Sequence, residues 1–260
     1  MQNFTTAGGS SERRAGVQSI ARAAAVLRAL AAAPEGLSLT ELAAAVELPK
    51  STAHRIVAAL AEEGLASHER GGAVRLGAAA AQLGAASREA LAERLRPVLL
   101  RLRRDLDETV DLAVLDGAYV RFVDQVPAPR RLRATSAVGE LFPLHCTANG
   151  KALLAALPER RVLELLPEQL PPLTPQTEMS RQALLEELRA IRRAGVALDR
   201  EEHTEGICAV GAVVPAGDGP AAAISVPVPA PRFDGNEMRL AAAVTRAAAE
   251  AAELLAPAGR

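Results

Sequence analysis

Aromatic residues are scarce in this chain of 260 residues, which has no tryptophan, one tyrosine and four phenylalanines. Proteins that recognise single-stranded nucleic acids stack bases on aromatic rings, so this composition disfavours that class. An excess of charge of one sign is also missing, because 30 Lys and Arg residues are balanced by 31 Asp and Glu residues. Any affinity for double-stranded nucleic acid must therefore come from a local patch of charge.

Cysteines and long apolar segments are also rare. Cys146 and Cys208 are too few and too far apart for a disulfide framework, which favours a reduced, cytoplasmic setting. Residues 1–16 lack the apolar centre of a secretion signal, and we expect them to form a disordered tail. No apolar run reaches the length that crosses a membrane, so we expect no membrane partner.

The segment Ser38–Leu60 predicts a helix-turn-helix. Ser38 followed by Glu41 has the spacing of a capping box, which begins a short first helix. Pro49 suits the first position of a second helix, where its missing N–H costs nothing. The core side of this second helix is predicted to carry Ala53, Ile56, Val57 and Leu60.

The opposite face of the second helix is predicted to bind DNA. A helix that begins with cations and short hydroxyls suits phosphates and base edges, and the residues of this face are Lys50, Ser51, Thr52 and Arg55. Arg55 is the best candidate for a base-edge contact, typically to guanine. The alternative interpretation is an ordinary solvated face of a helical hairpin.

The flanking segments extend this pattern to a winged domain. Val17–Ala33 is apolar at helical spacing and predicts a first helix, whereas Leu65–Glu69 and Ala73–Leu76 resemble two short strands. Gly71 and Gly72 lie between these strands, as in a hairpin. We expect phosphate contacts from the tip and the return strand of this wing, at Arg70 and Arg75.

Beyond Gly77 the sequence predicts a linker helix over Ala78–Arg96, and Pro97 either ends it or starts the next helix. An amphipathic helix is predicted to follow, with Val98, Leu99, Leu102 and Leu106 on its apolar face, and then a mixed α+β domain. The predicted sheet is antiparallel and covered by helices. Its strands are expected at Thr109–Leu115, Tyr119–Val126, Leu132–Ala137, Val196–Arg200, Ile207–Val214 and Ala221–Val228, and the helices at Thr147–Ala156, Pro158–Leu166, Ser180–Ala194 and from a cap at Asp234 to about Leu255.

A small-molecule site is expected where the loop His145–Gly150 meets this sheet. Thr147 can cap the helix that follows, which leaves backbone N–H groups available for a carboxylate or carbonyl group. We include His145 among the candidate ligand-binding residues.

Several ordered motifs resemble the IclR family of bacterial transcription regulators. They are VQSIARAAAVLRAL (17–30), GLSLTELAAAVELPKSTAHRIVAALAEEGL (36–65), RLG (75–77), FPLHCTANGKALLA (142–155), LTPQT (173–177), ELRAIRRAGVALDREEHTEG (187–206) and AAISVPVP (222–229). The resemblance implies a winged helix-turn-helix over residues 17–77, a linker helix over 78–96 and a GAF-like effector-binding domain over 97–260. It also implies a homodimer or homotetramer that binds double-stranded DNA, and a small effector such as an organic acid or aromatic catabolite.

The resemblance assigns the effector pocket to Ala148, Asn149, Asp199, Cys208 and Ser225. This chain departs from the family pattern at two places. One residue separates Gly206 from Cys208 where the family commonly has two, and Ser225-Val226-Pro227 replaces Ser-x-Ser. The second pocket hydroxyl is therefore missing, which favours a more apolar ligand or a different way of holding it.

Three other interpretations compete with this one. His145, Cys146, His203, Cys208 and Glu201-Glu202 contain zinc-ligating atoms, although without the paired spacing of a structural site. A Cys–His hydrolase built on Cys146 lacks any local signature for its base and oxyanion hole, so we expect no enzyme activity and no cofactor. The third alternative is a ligand-binding or protein-interaction module whose helix-turn-helix is only structural.

Overall fold

The computed structural model describes residues 9–69, 71–134, 136, 138–217 and 219–256, with side chains from residue 18 onward. Contacts divide the chain into two compact units that meet in sequence at Ser87 and Arg88. Within the described residues, none of the helices combines the length and the apolar character that crossing a membrane requires.

The first unit combines three helices with a small sheet. Its strands β1, β2 and β3 pair antiparallel in the order β1-β3-β2. Its elements are α1 (Gly9–Ala31), β1 (Leu37–Ser38), α2 (Leu39–Ala45), α3 (Lys50–Glu62), β2 (Ala66–His68) and β3 (Ala73–Leu76).

Two details of this unit differ from the predictions. Helix α1 begins at Gly9, so the predicted disordered tail is wrong for residues 9–16, and residues 1–8 lie outside the described residues. These residues contain no proline, and each residue added to an existing helix contributes a hydrogen bond. Pro49 is the N-cap of α3 rather than its first residue. The capping box is confirmed, since Glu41 N–H donates to Ser38 Oγ at 3.3 Å and Ser38 N–H to Glu41 Oε2 at 2.8 Å.

Helix α4 (Ala78–Leu106) continues through Pro97, where the sequence predicted a break, and contains the division between the two units. Burial explains why the helix persists beyond the proline. Leu95, Val98 and Leu99 are all buried in the core of the second unit, and this burial offsets the hydrogen bond that Pro97 cannot donate.

The second unit contains a six-stranded, fully antiparallel sheet, in agreement with the prediction. The strand order is β6-β5-β4-β9-β8-β7. Its elements are β4 (Val110–Asp116), β5 (Tyr119–Val126), β6 (Leu141–Pro143), α5 (Ala148–Ala155), α6 (Glu159–Leu165), α7 (Arg181–Ala194), β7 (Ala197–Arg200), β8 (Ile207–Ala216), β9 (Gly219–Pro229), α8 (Ala230–Phe233) and α9 (Glu237–Leu255).

The sheet separates two hydrophobic cores. Alternate residues of a strand point to opposite faces, so Leu112 and Ile224 join α4 and α9 on one side, whereas Ala113 and Ala223 join α5 and α7 on the other. The predicted cap of α9 is wrong, because the helix begins after Asn236 and not after Asp234. The predicted strand at Leu132–Ala137 is also wrong, since its described residues lie in the loop before β6.

Candidate functional site

Helix α3 presents an uncapped, basic N-terminus. Lys50, Ser51 and Arg55 are exposed and Thr52 is half-buried, while Ala53, Val57 and Leu60 pack into the core of the unit. Its N-cap residue, Pro49, makes no side-chain hydrogen bond to the helix in the described structure, so the first amide N–H groups are available to an anion. Within the described residues Lys50 and Arg55 form no ion pair. The predicted DNA-contacting face therefore exists as an accessible surface.

The structure describes one of the two wing arginines that the sequence predicted to contact phosphate. Arg70 lies outside the described residues. Arg75 lies between two carboxylates, with its Nη2 3.4 Å from Glu35 Oε2 and its Nε 3.9 Å from Glu69 Oε1. Arg75 thus connects β3 to neighbouring segments of its own domain, and a phosphate would have to compete with these two acids for its guanidinium group.

A cavity of about 250 Å³ lies in the second unit, beside the sheet and the N-terminus of α5. Four of the predicted effector residues line it, namely Ala148, Asn149, Asp199 and Ser225. Further lining residues that the sequence reasoning missed include Asp111, Phe122, Arg133, Ser136, His203 and Ala209.

The end of α5 reaches the cavity because strand β8 has a glycine where the helix approaches. A Cβ atom on Gly211 would lie 2.8 Å from the backbone carbon and oxygen of Ala148. Thr147 caps the helix as predicted, since its Oγ1 accepts a hydrogen bond from Gly150 N–H at 3.1 Å. The predicted loop therefore forms one wall of the cavity.

His145 and Cys208 do not line this cavity, so the structure does not bring these two predicted positions together with the other four. His145 is buried and its Nε2 lies 3.0 Å from the carbonyl oxygen of Pro171. Cys208 points to the opposite face of the sheet because its neighbours Ile207 and Ala209 face the cavity. In the family pattern two residues commonly separate the glycine from the residue assigned to the pocket. Counted in the same way from Gly206, that residue is Ala209, which lines the cavity.

Asp199 is a buried carboxylate of the cavity wall. Its Oδ1 accepts a hydrogen bond from Glu202 N–H at 2.8 Å. Burial raises the pKa of Asp199 to about 7, although this hydrogen bond acts in the opposite direction. The group is therefore partly protonated near neutral pH.

The loop that follows Asp199 is held by buried polar contacts. Lys151 Nζ, which is fully buried, donates to Glu187 Oε1 at 2.7 Å and to Glu202 Oε1 at 2.6 Å. Thr174 and Thr177 of the LTPQT motif donate hydroxyl hydrogen bonds to the carbonyl oxygens of Glu201 and Glu202, both at 2.6 Å. These contacts fix the backbone on one side of the cavity.

Asp111 is the second buried carboxylate of the wall and lies opposite Ser225 in the sheet register. Its oxygens accept hydrogen bonds from Gln125 Nε2 at 2.7 Å and from Ser136 Oγ at 3.0 Å. Burial raises the pKa of Asp111 to about 7, with a smaller contribution from Asp124. The contact from Ser136 connects the loop before β6 to the sheet.

An aromatic wall completes the cavity. The rings of Phe122 and Phe142 meet edge to face with centroids 4.9 Å apart, and the His203 imidazole stacks on Phe142 at 4.1 Å. Burial lowers the pKa of His203, with a contribution from His145, so the imidazole is neutral at pH 7. This wall suits the face of a flat, apolar molecule.

Asn149 supplies an acceptor without a partner. Its side chain is only 2% exposed, and no hydrogen bond to Oδ1 is formed within the described residues. A buried polar atom normally has a partner, because leaving it unsatisfied is costly. This atom is therefore a candidate contact for a bound molecule.

Metal and nucleophile chemistry have little support in this unit. In the part of the chain that the structure describes, no three His, Cys, Asp or Glu side chains group together in a way that could hold a metal ion. Burial raises the pKa of Cys146 to about 12, which keeps its thiol protonated and poorly nucleophilic.

Two family models together match most of the chain. The model described as IclR helix-turn-helix domain matches residues 19–70, and the model described as bacterial transcriptional regulator IclR C-terminal matches residues 83–253. The chain belongs to the IclR family. It is thus a helix-turn-helix transcriptional regulator, and not an enzyme.

Individual relatives agree with this assignment. The chain is 53% identical to the HTH-type transcriptional regulator Rv1719 of Mycobacterium tuberculosis over 89% of this chain and 90% of the relative. It is 43% identical to the HTH-type transcriptional regulator TtgV of Pseudomonas putida, covering 74% of each chain. These IclR-family relatives disfavour the interpretation of the helix-turn-helix as a purely structural hairpin.

Crystal structures of IclR proteins have the same fold. The Thermotoga maritima IclR structure has a TM-score of 0.62 and 26% identity, covering 92% of this chain and 98% of that one. An IclR homologue from Microbacterium hydrocarbonoxydans, complexed with 4-hydroxybenzoate, has a TM-score of 0.60 and 24% identity, with 91% of this chain and 98% of that chain covered. At this identity the second comparison supports the fold alone.

Proposed function

We propose that this IclR-family regulator binds its operator through the exposed face of α3 and senses a small effector in the cavity of the second unit. The single observation that carries the sensing function is the buried Oδ1 of Asn149 in the cavity wall, which has no hydrogen-bond partner among the residues that the structure describes. The homologue complexed with 4-hydroxybenzoate gives a precedent for a ligand in this fold.

The DNA-binding face uses Lys50 and Ser51 for phosphate and Arg55 for a base edge. The first two lie in the first turn of α3, where the positive end of the helix dipole adds to their attraction for phosphate. Arg55 lies one turn further along the same exposed face. We assign Thr52 to the same contact surface, whereas Arg75 serves the domain itself.

A homodimer or homotetramer on an inverted-repeat operator completes the proposal. Residues 1–76 contain eight Lys and Arg against seven Asp and Glu, so one DNA-binding domain has little excess positive charge. Two domains on two half-sites double the phosphate contacts and bind cooperatively. We place this activity in the cytoplasm, in agreement with the two free, buried cysteines.

Effector binding regulates DNA binding by differential affinity. A ligand shifts an equilibrium between DNA-competent and DNA-incompetent states only when it binds the two states unequally. The effector therefore changes operator affinity, and operator DNA changes effector affinity by the same factor.

Selection of genomic fragments by the purified full-length protein tests the DNA-binding part. We expect an inverted repeat whose affinity falls with salt by about 0.9 log units per log unit for each phosphate contact. Arg55→Ala should cost about 1–3 kcal/mol and relax one base position. Arg28→Ala removes another exposed arginine of the same unit and should leave base preference unchanged. Equal losses for both variants would contradict the assigned role of Arg55.

A further inference from the structure

We propose that the cavity binds a small, uncharged aromatic molecule that offers a hydrogen-bond donor, such as a phenolic hydroxyl, and that it rejects carboxylate anions. This ligand class rests on the proposed function, in which the same cavity is the effector site. It narrows the expectation from the sequence, which included organic acids.

The unpartnered acceptor determines which kind of polar group the ligand carries. Asn149 Oδ1 is buried in the wall and lacks a hydrogen-bond donor within the described residues. A ligand hydroxyl satisfies this atom, whereas a ligand carboxylate brings only further acceptors to it. Sites built around a buried polar group discriminate strongly against analogues that leave that group unpaired.

The negative charge of the cavity wall also disfavours a carboxylate ligand. Asp111 and Asp199 are 1% and 5% exposed, so a ligand carboxylate in this cavity would join two buried acids. The positive end of the eight-residue helix α5 amounts to about half a unit charge and opposes them only in part. Arg133 is exposed, so water screens its attraction for an anion. Its Nη1 also donates a hydrogen bond to the carbonyl oxygen of Arg130.

Protonation of the two wall carboxylates does not remove the preference for a neutral ligand over an anion. Burial raises the pKa of Asp111 and Asp199 to about 7, so both are partly ionised at neutral pH. An incoming anion favours their protonated forms, and its binding is therefore coupled to proton uptake. A neutral phenol carries no such requirement and binds without it.

Size and shape favour a single ring. The cavity of about 250 Å³ exceeds the roughly 150 Å³ that accommodates benzene in an engineered protein cavity. Its apolar walls include Phe122, Phe142, Ile207 and Pro227, which provide flat and aliphatic surfaces for the ring. A hydroxyl group on such a ring can donate its hydrogen bond to Asn149 Oδ1.

Calorimetric titration of the full-length protein with three matched probes tests the proposal. The probes are 4-methylphenol, benzoate and toluene, each with one ring. The chain has no tryptophan, which makes calorimetry preferable to intrinsic fluorescence. We expect 4-methylphenol to bind about tenfold or more tighter than either other probe at pH 7.5. Benzoate that binds as tightly as 4-methylphenol, or no binding of 4-methylphenol at millimolar concentration, overturns the proposal.

Two variants test which residues cause the preference for 4-methylphenol over toluene and benzoate. Asn149→Leu should lower the affinity for 4-methylphenol to the level of toluene, with folding checked by thermal unfolding. Asp199→Asn should raise the affinity for benzoate by about tenfold, because one buried charge is removed. Glu168→Gln removes an exposed carboxylate outside the cavity and should change neither affinity.

A third variant separates failure of this ligand class from failure of the proposed function. Ala209→Phe fills the cavity from strand β8. If this variant binds 4-methylphenol as the parent protein does, the cavity is not the effector site and the proposed function fails with the ligand class. If benzoate is the preferred probe and Ala209→Phe abolishes its binding, the site stands and only the ligand class is wrong.

Discussion

Replacing Asp111 by asparagine should stabilise the protein at high pH and lose that effect at low pH. The carboxyl group is 1% exposed, and burial raises its pKa from an ordinary value of 3.8 to about 7. The folded state therefore retains a proton that the unfolded chain releases between these two values. Stability falls as the pH rises through this window, and the full penalty is present above pH 7.

The magnitude follows from the size of the shift. About three pH units at about 1.4 kcal/mol each give a penalty of roughly 4 kcal/mol at pH 8. At pH 5 only about 1.6 kcal/mol of it is present. Asparagine has no such penalty but rearranges the hydrogen bonds with Gln125 and Ser136, which costs about 1–2 kcal/mol and depends little on pH.

The test compares unfolding of the two proteins by urea at pH 5 and pH 8. The free-energy difference between Asp111→Asn and the parent protein should shift by about 2–3 kcal/mol in favour of the variant on going from pH 5 to pH 8. Asp105→Asn changes an exposed acid of the same unit and should give a pH-independent difference near zero. A pH-independent difference for Asp111→Asn as well would refute the claim that burial perturbs this carboxyl group.

Three further predictions concern the scaffold around the sites. Lys151→Met should destabilise the second unit by about 3–5 kcal/mol, because it leaves Glu202 and Glu187 without their shared cation, and adding Glu202→Gln should restore part of the loss in urea unfolding. Gly211→Ala should lower both the unfolding temperature and 4-methylphenol affinity, since its Cβ would collide with the backbone of Ala148, whereas Gly219→Ala meets open space and should change neither. Arg75→Ala should leave the salt dependence of operator binding close to that of the parent protein, because Glu35 and Glu69 already compensate its charge. If the slope of log affinity against log salt concentration falls by about one unit instead, Arg75 is a phosphate contact.

Elements with strong local signals were predictable from the sequence. Helix α7 begins and ends within one residue of the prediction, because Ser180 caps its N-terminus and Gly195 adopts the left-handed conformation that closes it. Strands β4 and β5 were similarly clear, since the turn at Asp116-Gly117 separates them, although β4 is buried on both faces over its first five residues and only β5 alternates. Helix α4 was predicted as two helices divided at Pro97, because proline is a local signal for a break whereas the burial that overrides it is a property of the tertiary structure.

Some residues of the cavity could likewise be predicted from local sequence, whereas others depend on contacts between distant segments. Ala148 and Asn149 follow a recognisable cap at Thr147, so their position near the site was predictable. Cys208 does not join them at the cavity, because a shift of one residue along a strand moves a side chain to the other face of the sheet. Asp111 gave no sequence signal, since its role depends on Gln125 and Ser136 meeting it from other segments.

The two sides of the cavity are built from different kinds of structure, and this difference bears on how ligand preference evolves. On one side, Lys151, Thr174 and Thr177 clamp the backbone after Asp199, so substitutions there disturb folding. On the other, Arg133 and Ser136 belong to an irregular loop, and Ser136 contacts the sheet through one side-chain hydrogen bond. We therefore expect changes of ligand preference to occur at Arg133 and Ser136, which line the cavity from this loop, more readily than where Lys151, Thr174 and Thr177 hold the backbone.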